Sequence, residues 1–195
     1  LAPYVDFYKI ASYELLWDDL LSACARTSKP VVLSCGMATM AEIHHAVTVL
    51  HTHGCQDLTL LHCTSAYPTP CDEANLMAIQ TLRQATGCKV GWSDHTVAPG
   101  VIHRAVHAWQ ARVVEFHLDL DGQGEEYAAG HCWLPSQIEQ VIRDIGSGFL
   151  SDGHGRKEPV PSELPDRLWR ADPADGLRPM RAIRSSWHPE ASPAT

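Results

Sequence analysis

Five short apolar runs alternate with amphipathic stretches along the first 145 residues, and this alternation limits the possible fold most strongly. The runs cover residues 5–11, 30–35, 58–63, 89–94 and 113–118 and are mostly aliphatic or β-branched. Short apolar runs of this kind are typical of strands that are buried on both faces. The stretches between them carry apolar residues at helical spacing. Repeated strand–helix alternation predicts an α/β fold with a parallel sheet.

The helices predicted between the strands have recognisable starting points. Ser12 and Thr39 stand where N-caps are expected, and Pro135 begins the last helical pattern. A hydroxyl side chain can bond the free N–H groups of a first helical turn, and proline suits the first helical position. Further helices are predicted over residues 75–85 and 101–109, where apolar residues recur at helical spacing.

The number of apolar runs is small for the fold that the pattern favours. The short repeat fits a (β/α)8 barrel or a doubly wound sheet, and no G-x-G-x-x-G or Walker A motif supports a nucleotide-binding sheet. A barrel needs eight strands and ~250 residues, whereas this chain has 195 residues. We therefore predict a (β/α)8 TIM-barrel type fold of which residues 1–150 hold only the C-terminal five βα units. Open edges would promote aggregation, so we expect a homodimer or a chain that receives its missing strands.

The composition changes after residue 150. Residues 151–195 hold seven of the 13 prolines and seven of the 15 Lys and Arg residues. We interpret this segment as an extended Pro/Arg-rich C-terminal arm. Its end, residues 189–195, is predicted to be disordered.

Net charge and cysteine spacing exclude several classes of function. The formal net charge is −8, whereas non-specific binding to nucleic acid or an anionic membrane needs a basic surface. No apolar run approaches the ~20 residues of a membrane span and no signal peptide is recognisable, so we expect a cytoplasmic protein. The seven cysteines include no C-x-x-C pair, which predicts reduced thiols and argues against a cysteine-based zinc site.

Polar side chains lie in, or directly after, each of the five predicted strands. Because the C-terminal ends of parallel barrel strands build the active site together, these side chains are candidates for a single site. In chain order they are Lys9, Ser12, Glu14, Ser34, Ser65, Tyr67, Ser93, His95, Glu115 and His117. The serine hydroxyls at strand ends can bind a phosphate, although helix capping is an equally good interpretation of Ser12.

His95 and His117 stand at the ends of neighbouring predicted strands. Side chains alternate between the two faces of a strand, so Ser93 and His95 share one face. Two imidazoles at similar height in a barrel mouth can form an open divalent-metal site, with Asp94 or Glu115 orienting a ring. The alternative is a pair of hydrogen-bonded core histidines. Polar groups on the three preceding strands favour the metal.

Lys9 lies inside the first predicted strand, where an unpaired charge is unfavourable. It can bind a substrate phosphate or carboxylate, form a Schiff base, or lie at an edge of the sheet. The accompanying serines favour phosphate binding. No serine stands in a G-x-S-x-G motif, which argues against a serine hydrolase, while a metal-dependent aldolase or hydrolase is an alternative enzyme class.

These residues fall in five ordered motifs: Y-K-I-A-S-x-E at residues 8–14, L-S-x-G-M-A-T-x-x-E-I at 33–43, H-C-x-S-x-Y-P-T-P at 62–70, G-x-S-D-H-T at 91–96 and V-E-x-H at 114–117. Together they closely resemble the sialic acid synthase family. That family includes N-acetylneuraminate, legionaminic acid and pseudaminic acid synthases and spore-coat polysaccharide synthases. The resemblance covers roughly residues 4–145, in the family's order and spacing.

The resemblance implies a (β/α)8 barrel that serves surface polysaccharide biosynthesis. It would condense phosphoenolpyruvate with an N-acetylated hexosamine, such as N-acetylmannosamine, to a nine-carbon 2-keto sugar acid and phosphate. It implies Mn2+ or Mg2+ as cofactor, bound by His95 and His117 and polarising the sugar aldehyde. It also implies catalytic roles for Lys9, Glu115 and His117, with Glu115 acting near the metal. Substrate binding is assigned by the resemblance to Lys9, Ser12, Glu14, Ser34, Ser65, Tyr67, Ser93 and Glu126.

The chain departs from the family pattern after the fifth predicted strand. The family usually has Gly-Pro-Asp there, whereas this chain reads Gly124-Glu125-Glu126, so Glu126 is a stand-in for the aspartate that contacts the sugar. Residues 130–135 (G-H-C-W-L-P) resemble a subgroup variant. The arm stands where many members have an antifreeze-like domain. A non-catalytic fragment or paralogue that binds a sugar or a full-length partner is therefore an alternative to the synthase.

Overall fold

The structure is a computed structural model that describes residues 2–186. The chain forms two compact units, of which the first ends at Ser151 and the second begins at Asp152. The assignment of residues 1–150 to a partial barrel and of 151–195 to an arm stays a prediction, and the predicted disordered end lies outside the described residues. Within residues 2–186, no helix is long and apolar enough to cross a membrane.

The first unit contains a six-stranded parallel sheet. Its strands are β1 (Tyr8–Ile10), β2 (Val31–Ser34), β3 (Leu58–His62), β4 (Lys89–Asp94), β5 (Val114–Leu118) and β6 (Cys132–Trp133). Each strand pairs with the next strand along the chain. The predicted parallel α/β fold is confirmed, but the count of five strands is wrong. β6 was missed because two residues are too few to show a periodic pattern.

Seven α-helices are described, with 3-10 turns between them. The helices are α1 (Asp18–Ala25), α2 (Met40–Thr52), α3 (Ala78–Thr86), α4 (Pro99–His103), α5 (Glu125–Ala128), α6 (Pro135–Ser151) and α7 (Arg181–Arg184). α4 continues into a π-helical turn at Arg104–Ala108, so the helix predicted over 101–109 changes its hydrogen-bond pattern partway. The 3-10 turns cover Ala2–Tyr4, Ser12–Glu14, Cys71–Glu73, Pro161–Glu163 and Asp166–Trp169.

Two of the three predicted helix starts are confirmed. Thr39 forms a capping box with Glu42: the Glu42 N–H donates to Thr39 Oγ1 over 3.4 Å and the Thr39 N–H donates to Glu42 Oε2 over 2.7 Å. Pro135 is the first residue of α6. Ser12 does not cap an α-helix. It begins the 3-10 turn Ser12–Glu14, and α1 starts only at Asp18.

The two faces of the sheet have different chemistry. Ile10, Leu33, Leu60 and Val90 point toward the helices and are almost completely buried in the core. Burying a side chain of this size stabilises the folded state by about 1.5–3 kcal/mol. The opposite face carries Lys9, Ser93 and Glu115, as the predicted alternation requires.

The sheet is strongly curled toward its polar face. Lys9 on β1 forms an ion pair with Glu115 on β5, with 3.3 Å between Nζ and Oε2. In a flat sheet, four strand spacings would separate β1 from β5 by ~19 Å. Only a curled sheet brings these side chains together, so the first unit is a half-barrel with its polar side chains on the concave face. A trough of about 830 Å³ along this face is lined by both of these residues.

The second unit is organised by two aspartates. The Asp172 carboxylate accepts hydrogen bonds from the N–H groups of Ala174 (2.8 Å) and Arg181 (2.7 Å). The Arg184 guanidinium contacts both oxygens of Asp175 at 2.7 and 2.5 Å. This pairing lowers the pKa of Asp175 to about 2. Between residues 152 and 186 the chain forms the 3-10 turns Pro161–Glu163 and Asp166–Trp169 and the helix α7, while the assignment of 151–195 to an extended arm stays a prediction.

Candidate active site

Lys9, Ser93 and Glu115 form one polar group on the concave face. Ser93 and Glu115 are register partners on β4 and β5, and the Ser93 hydroxyl donates to Glu115 Oε1 over 2.8 Å. Glu115 Oε2 faces the Lys9 ammonium at 3.3 Å. Lys9 also donates to the backbone oxygen of Ile10 over 3.1 Å. Both carboxylate oxygens of Glu115 thus contact Lys9 or Ser93. The suggestion that Glu115 orients an imidazole is therefore not supported.

A cradle of hydroxyl groups surrounds Gly36, just beyond the end of β2. The Gly36 N–H donates to Ser12 Oγ over 2.9 Å, and Ser12 Oγ lies 3.2 Å from Cys63 Sγ. The hydroxyl oxygens of Ser34 and Ser65 are completely buried, and neither has a hydrogen-bond partner among residues 2–186. Burial without a partner is unfavourable for a hydroxyl. These two groups are therefore free to bind a ligand.

The absence of a side chain at Gly36 keeps this cradle open. A Cβ atom there would lie 2.2 Å from Ser65 Oγ and 2.9 Å from Ser12 Oγ. Gly36 belongs to one of the sequence motifs, but we did not predict it as a site residue. Its importance depends on tertiary distances that a single sequence does not display.

His95 and His117 meet as predicted, with 5.3 Å between their ring centroids. The Nδ1 atom of His95 lies 2.8 Å from the Thr64 carbonyl oxygen, so Nδ1 carries the proton and Nε2 keeps a free electron pair. His95 is only 4% exposed, and its burial lowers the pKa of the ring. A neutral ring with a free nitrogen is the form that binds metals.

Tyr67 covers the two histidines. Its ring centroid lies 4.4 Å from that of His95 and 5.8 Å from that of His117. Burial raises the pKa of Tyr67, so its phenol is neutral and can donate a hydrogen bond. The predicted site residue Glu14 lies half-buried in its 3-10 turn, and within residues 2–186 its side chain makes no hydrogen bond or ion pair.

Four potential metal ligands meet beside His117. They are His117, Glu126, His131 and Cys132, whose donor atoms all lie within 4.8 Å of one another. The hydrogen bond and charge of His117 lower the pKa of Glu126. Burial raises the pKa of the Cys132 thiol. We did not predict His131 and Cys132, although the unusual segment 130–135 marked their position.

Asp94 has a structural position that the sequence did not reveal. Its side chain points away from the histidines and accepts hydrogen bonds from the indole N–H groups of Trp92 (3.0 Å) and Trp133 (2.9 Å). It also accepts from the backbone and hydroxyl of Thr96 and from the Val97 N–H. The suggestion that Asp94 orients an imidazole is therefore wrong. Asp94 instead fixes β6 against β4.

Comparisons with known proteins agree with this arrangement. The chain is 41% identical over 162 residues to the uncharacterized protein MJ1065 of Methanocaldococcus jannaschii, covering 82% of this chain and 47% of the relative. It is 39% identical over 151 residues to an N,N'-diacetyllegionaminic acid synthase of Campylobacter jejuni, covering 73% and 45%. The chain thus spans about half the length of the curated relatives it matches.

Solved structures show the same fold. A sialic acid synthetase from Leptospira borgpetersenii, crystallised with citrate, superposes with a TM-score of 0.71 at 33% identity, over 84% of this chain and 56% of the other. A DAHP synthase from Thermotoga maritima superposes with a TM-score of 0.66 over 78% and 47% of the chains, but at 14% identity it shows only the fold. Residues 1–157 match the NeuB family, and the chain belongs to that family.

Proposed function

We propose that this chain carries part of the active site of a phosphoenolpyruvate-dependent synthase of the sialic acid type, acting in surface polysaccharide biosynthesis. The reaction would join the enol carbon of phosphoenolpyruvate to the aldehyde carbon of an N-acetylated hexosamine. Water would take the place of the departing phosphate, and a nine-carbon 2-keto sugar acid would result. Relatives named legionaminic, pseudaminic and N-acetylneuraminate-9-phosphate synthases support this substrate class.

The observation that carries the proposal is the juxtaposition of an anion site and a metal-competent histidine pair. Lys9 supplies the positive charge, and the unpartnered hydroxyls of Ser34 and Ser65 supply hydrogen-bond donors. A phosphate or carboxylate needs both kinds of group. We assign binding of phosphoenolpyruvate to these residues together with Ser12 and Ser93. Glu115 holds the Lys9 ammonium in position for the anion.

His95 and His117 would hold a divalent cation, Mn2+ or Mg2+, which supplies Lewis-acid polarisation of the sugar aldehyde when it is bound. The buried, neutral ring of His95 with its free Nε2 fits this assignment. Two protein ligands leave positions for water and a substrate oxygen. Tyr67 would exclude bulk water above the pair, and Glu14 and Glu126 would contact the sugar. We propose a homodimer as the working form.

The proposal can be tested by measuring phosphate release. The purified chain would receive phosphoenolpyruvate, Mn2+ and each of several N-acetylated hexosamines, with His95→Ala as the test variant. His44→Ala is the matched control, because His44 is exposed on α2. We expect release that depends on the sugar, disappears with chelator and in His95→Ala, and persists in His44→Ala.

Binding of phosphoenolpyruvate, measured by calorimetry, separates the remaining outcomes. Binding that Lys9→Met abolishes, without phosphate release, would support a non-catalytic fragment or an active site completed by another chain. Phosphate release without any sugar would support a hydrolase. A chain that folds but neither binds phosphoenolpyruvate nor releases phosphate would contradict the proposal. Borohydride trapping of Lys9 with a keto substrate would support an aldolase, which would use Lys9 as a Schiff-base nucleophile.

A further inference from the structure

We propose that His117, Glu126, His131 and Cys132 form a binding site for a thiophilic divalent cation such as Zn2+. The inference depends only on these four side chains, of which His117 is shared with the His95–His117 pair of the proposed function. It differs from the His95–His117 pair in its donors, since it contains a thiol and a carboxylate and excludes His95. It also revises the expectation that no cysteine of this chain takes part in a zinc site.

The distances within the cluster suit tetrahedral zinc. Glu126 Oε2 lies 3.2 Å from His117 Nδ1, 3.9 Å from His131 Nε2 and 3.8 Å from Cys132 Sγ. Zinc bonds of ~2.0–2.1 Å to nitrogen or oxygen and ~2.3 Å to the single sulfur imply tetrahedral edges of ~3.3–3.6 Å. The carboxylate oxygen is therefore already close to one edge length from each of the other three donors. All four donor atoms lie within 4.8 Å of one another, so a cation among them would draw the longer separations in to these edge lengths.

His131 provides a second, independent indication of a ligand. The residue is only 7% exposed, and in the part of the chain that the structure describes its buried Nδ1 atom has no hydrogen-bond partner. Its Nε2 atom faces Glu126 at 3.9 Å, which is too long for a hydrogen bond. Within residues 2–186 the Nε2 atom also makes no hydrogen bond, so its electron pair is available to a cation. A cation bound to Nε2 would fix the ring in the orientation in which Nε2 faces Glu126.

The backbone holds the ligands in place before any cation binds. His117 and Cys132 are register partners on the parallel strands β5 and β6. β6 is fixed by the bond from the Trp133 indole to Asp94 and by the bond from the Asp119 N–H to the Trp133 carbonyl oxygen. Gly130 makes the turn from α5 into β6 with a φ angle of +92°. Residues other than glycine rarely adopt this backbone conformation.

The donor set also determines which cation is favoured. Thiolate and imidazole ligands favour Zn2+, whereas Mg2+ prefers oxygen ligands in octahedral geometry. His117 turns Nδ1 toward this cluster. A cation bound to Nδ1 leaves the ring proton on Nε2, so Nε2 of His117 cannot bind a second cation together with His95. Zn2+ at this site would therefore exclude a divalent cation from the His95–His117 pair.

The test uses Co2+ as a spectroscopic substitute for Zn2+ on the full, metal-free chain, kept reduced by a phosphine. We expect one Co2+ per chain with a thiolate-to-cobalt charge-transfer band that one equivalent of Zn2+ abolishes. Cys132→Ser should lose the band, while Cys71→Ser should keep it, because Cys71 is an exposed cysteine outside the cluster. Circular dichroism would confirm that each variant folds.

A second variant keeps the test decisive if Cys132→Ser does not fold. His131→Gln should keep the charge-transfer band but require at least ~10-fold more Co2+ to reach it, since one of four ligands is lost. A parent chain without a thiolate band, or a band of parental intensity and affinity in the variants, would overturn the proposal. Failure of this proposal is distinguishable from failure of the proposed function, because phosphoenolpyruvate binding to the metal-free chain is measured separately.

Discussion

Replacing Asp94 with alanine tests whether a single buried carboxylate fixes the last strand of the sheet. Asp94 is 0% exposed and accepts hydrogen bonds from the indoles of Trp92 and Trp133, which are themselves at most 2% exposed. Without the carboxylate, both indole N–H groups would be buried with no acceptor. The donors from Thr96 and Val97 lie in a half-buried loop where water can replace the lost partner.

The expected loss of stability follows from the two indoles. A buried donor without a partner costs about 1–3 kcal/mol, so Asp94→Ala should lower the free energy of unfolding by about 2–6 kcal/mol. A domain is typically stable by only about 5–15 kcal/mol, which makes this a large fraction. Asp94→Asn retains one carbonyl oxygen and should lose about half as much, ~1–3 kcal/mol.

Urea unfolding followed by circular dichroism and by tryptophan fluorescence measures these losses. The matched control is Asp144→Asn, because Asp144 is exposed on α6 and accepts a hydrogen bond from the equally exposed Gln140. The control should leave the midpoint unchanged. The reasoning fails if the free energy of unfolding of Asp94→Ala lies within ~0.5 kcal/mol of the parent value at an unchanged m-value. The two indoles would then not depend on this carboxylate.

Three further predictions concern the cap, a buried histidine and the hydroxyl cradle. Thr39→Ala removes the α2 cap and should lower the free energy of unfolding by about 0.5–2 kcal/mol in a urea titration; an unchanged midpoint would argue against the capping box. Burial lowers the pKa of His62, whose Nε2 donates to the Ala74 carbonyl oxygen, so stability should be complete above pH ~6.5 and fall as the pH drops through the folded-state pKa. His62→Gln should flatten this dependence, and a profile identical to the parent's would refute the assignment. Gly36→Ala should weaken phosphoenolpyruvate binding in calorimetry, because its Cβ would enter the space 2.2 Å from Ser65 Oγ; parental affinity would remove Gly36 from the site.

The sequence predicted well what depends on apolar periodicity. The runs predicted at 30–35, 58–63, 89–94 and 113–118 all contain strands, because buried parallel strands are apolar on both faces. The run at 5–11 shortens to Tyr8–Ile10 at the edge of the sheet, where Phe7 is exposed. A count of apolar residues cannot distinguish a residue paired in the sheet from one just outside it.

The histidine pair was also predictable, because alternation along two adjacent strands fixes which side chains share a face. The position of His131 could not be predicted, because it depends on the irregular loop after β5. There the Asp119 carboxylate accepts from the N–H groups of Asp121, Gly122 and Gly124 and folds the loop back. Such side-chain-to-backbone bonds leave no periodic pattern in the sequence.

The order of the strands has a consequence for how the first unit folds. Among residues 2–186, every strand pairs only with its neighbours in sequence. A repeat array has the same property, because each of its units is stabilised mainly by the units beside it. Association can then proceed one βα unit at a time through contacts that close short loops. The Lys9–Glu115 ion pair joins strands that are not neighbours, so it can form only after β2, β3 and β4 have assembled between them. We infer that the concave face, with its anion-binding groups, is completed late in folding.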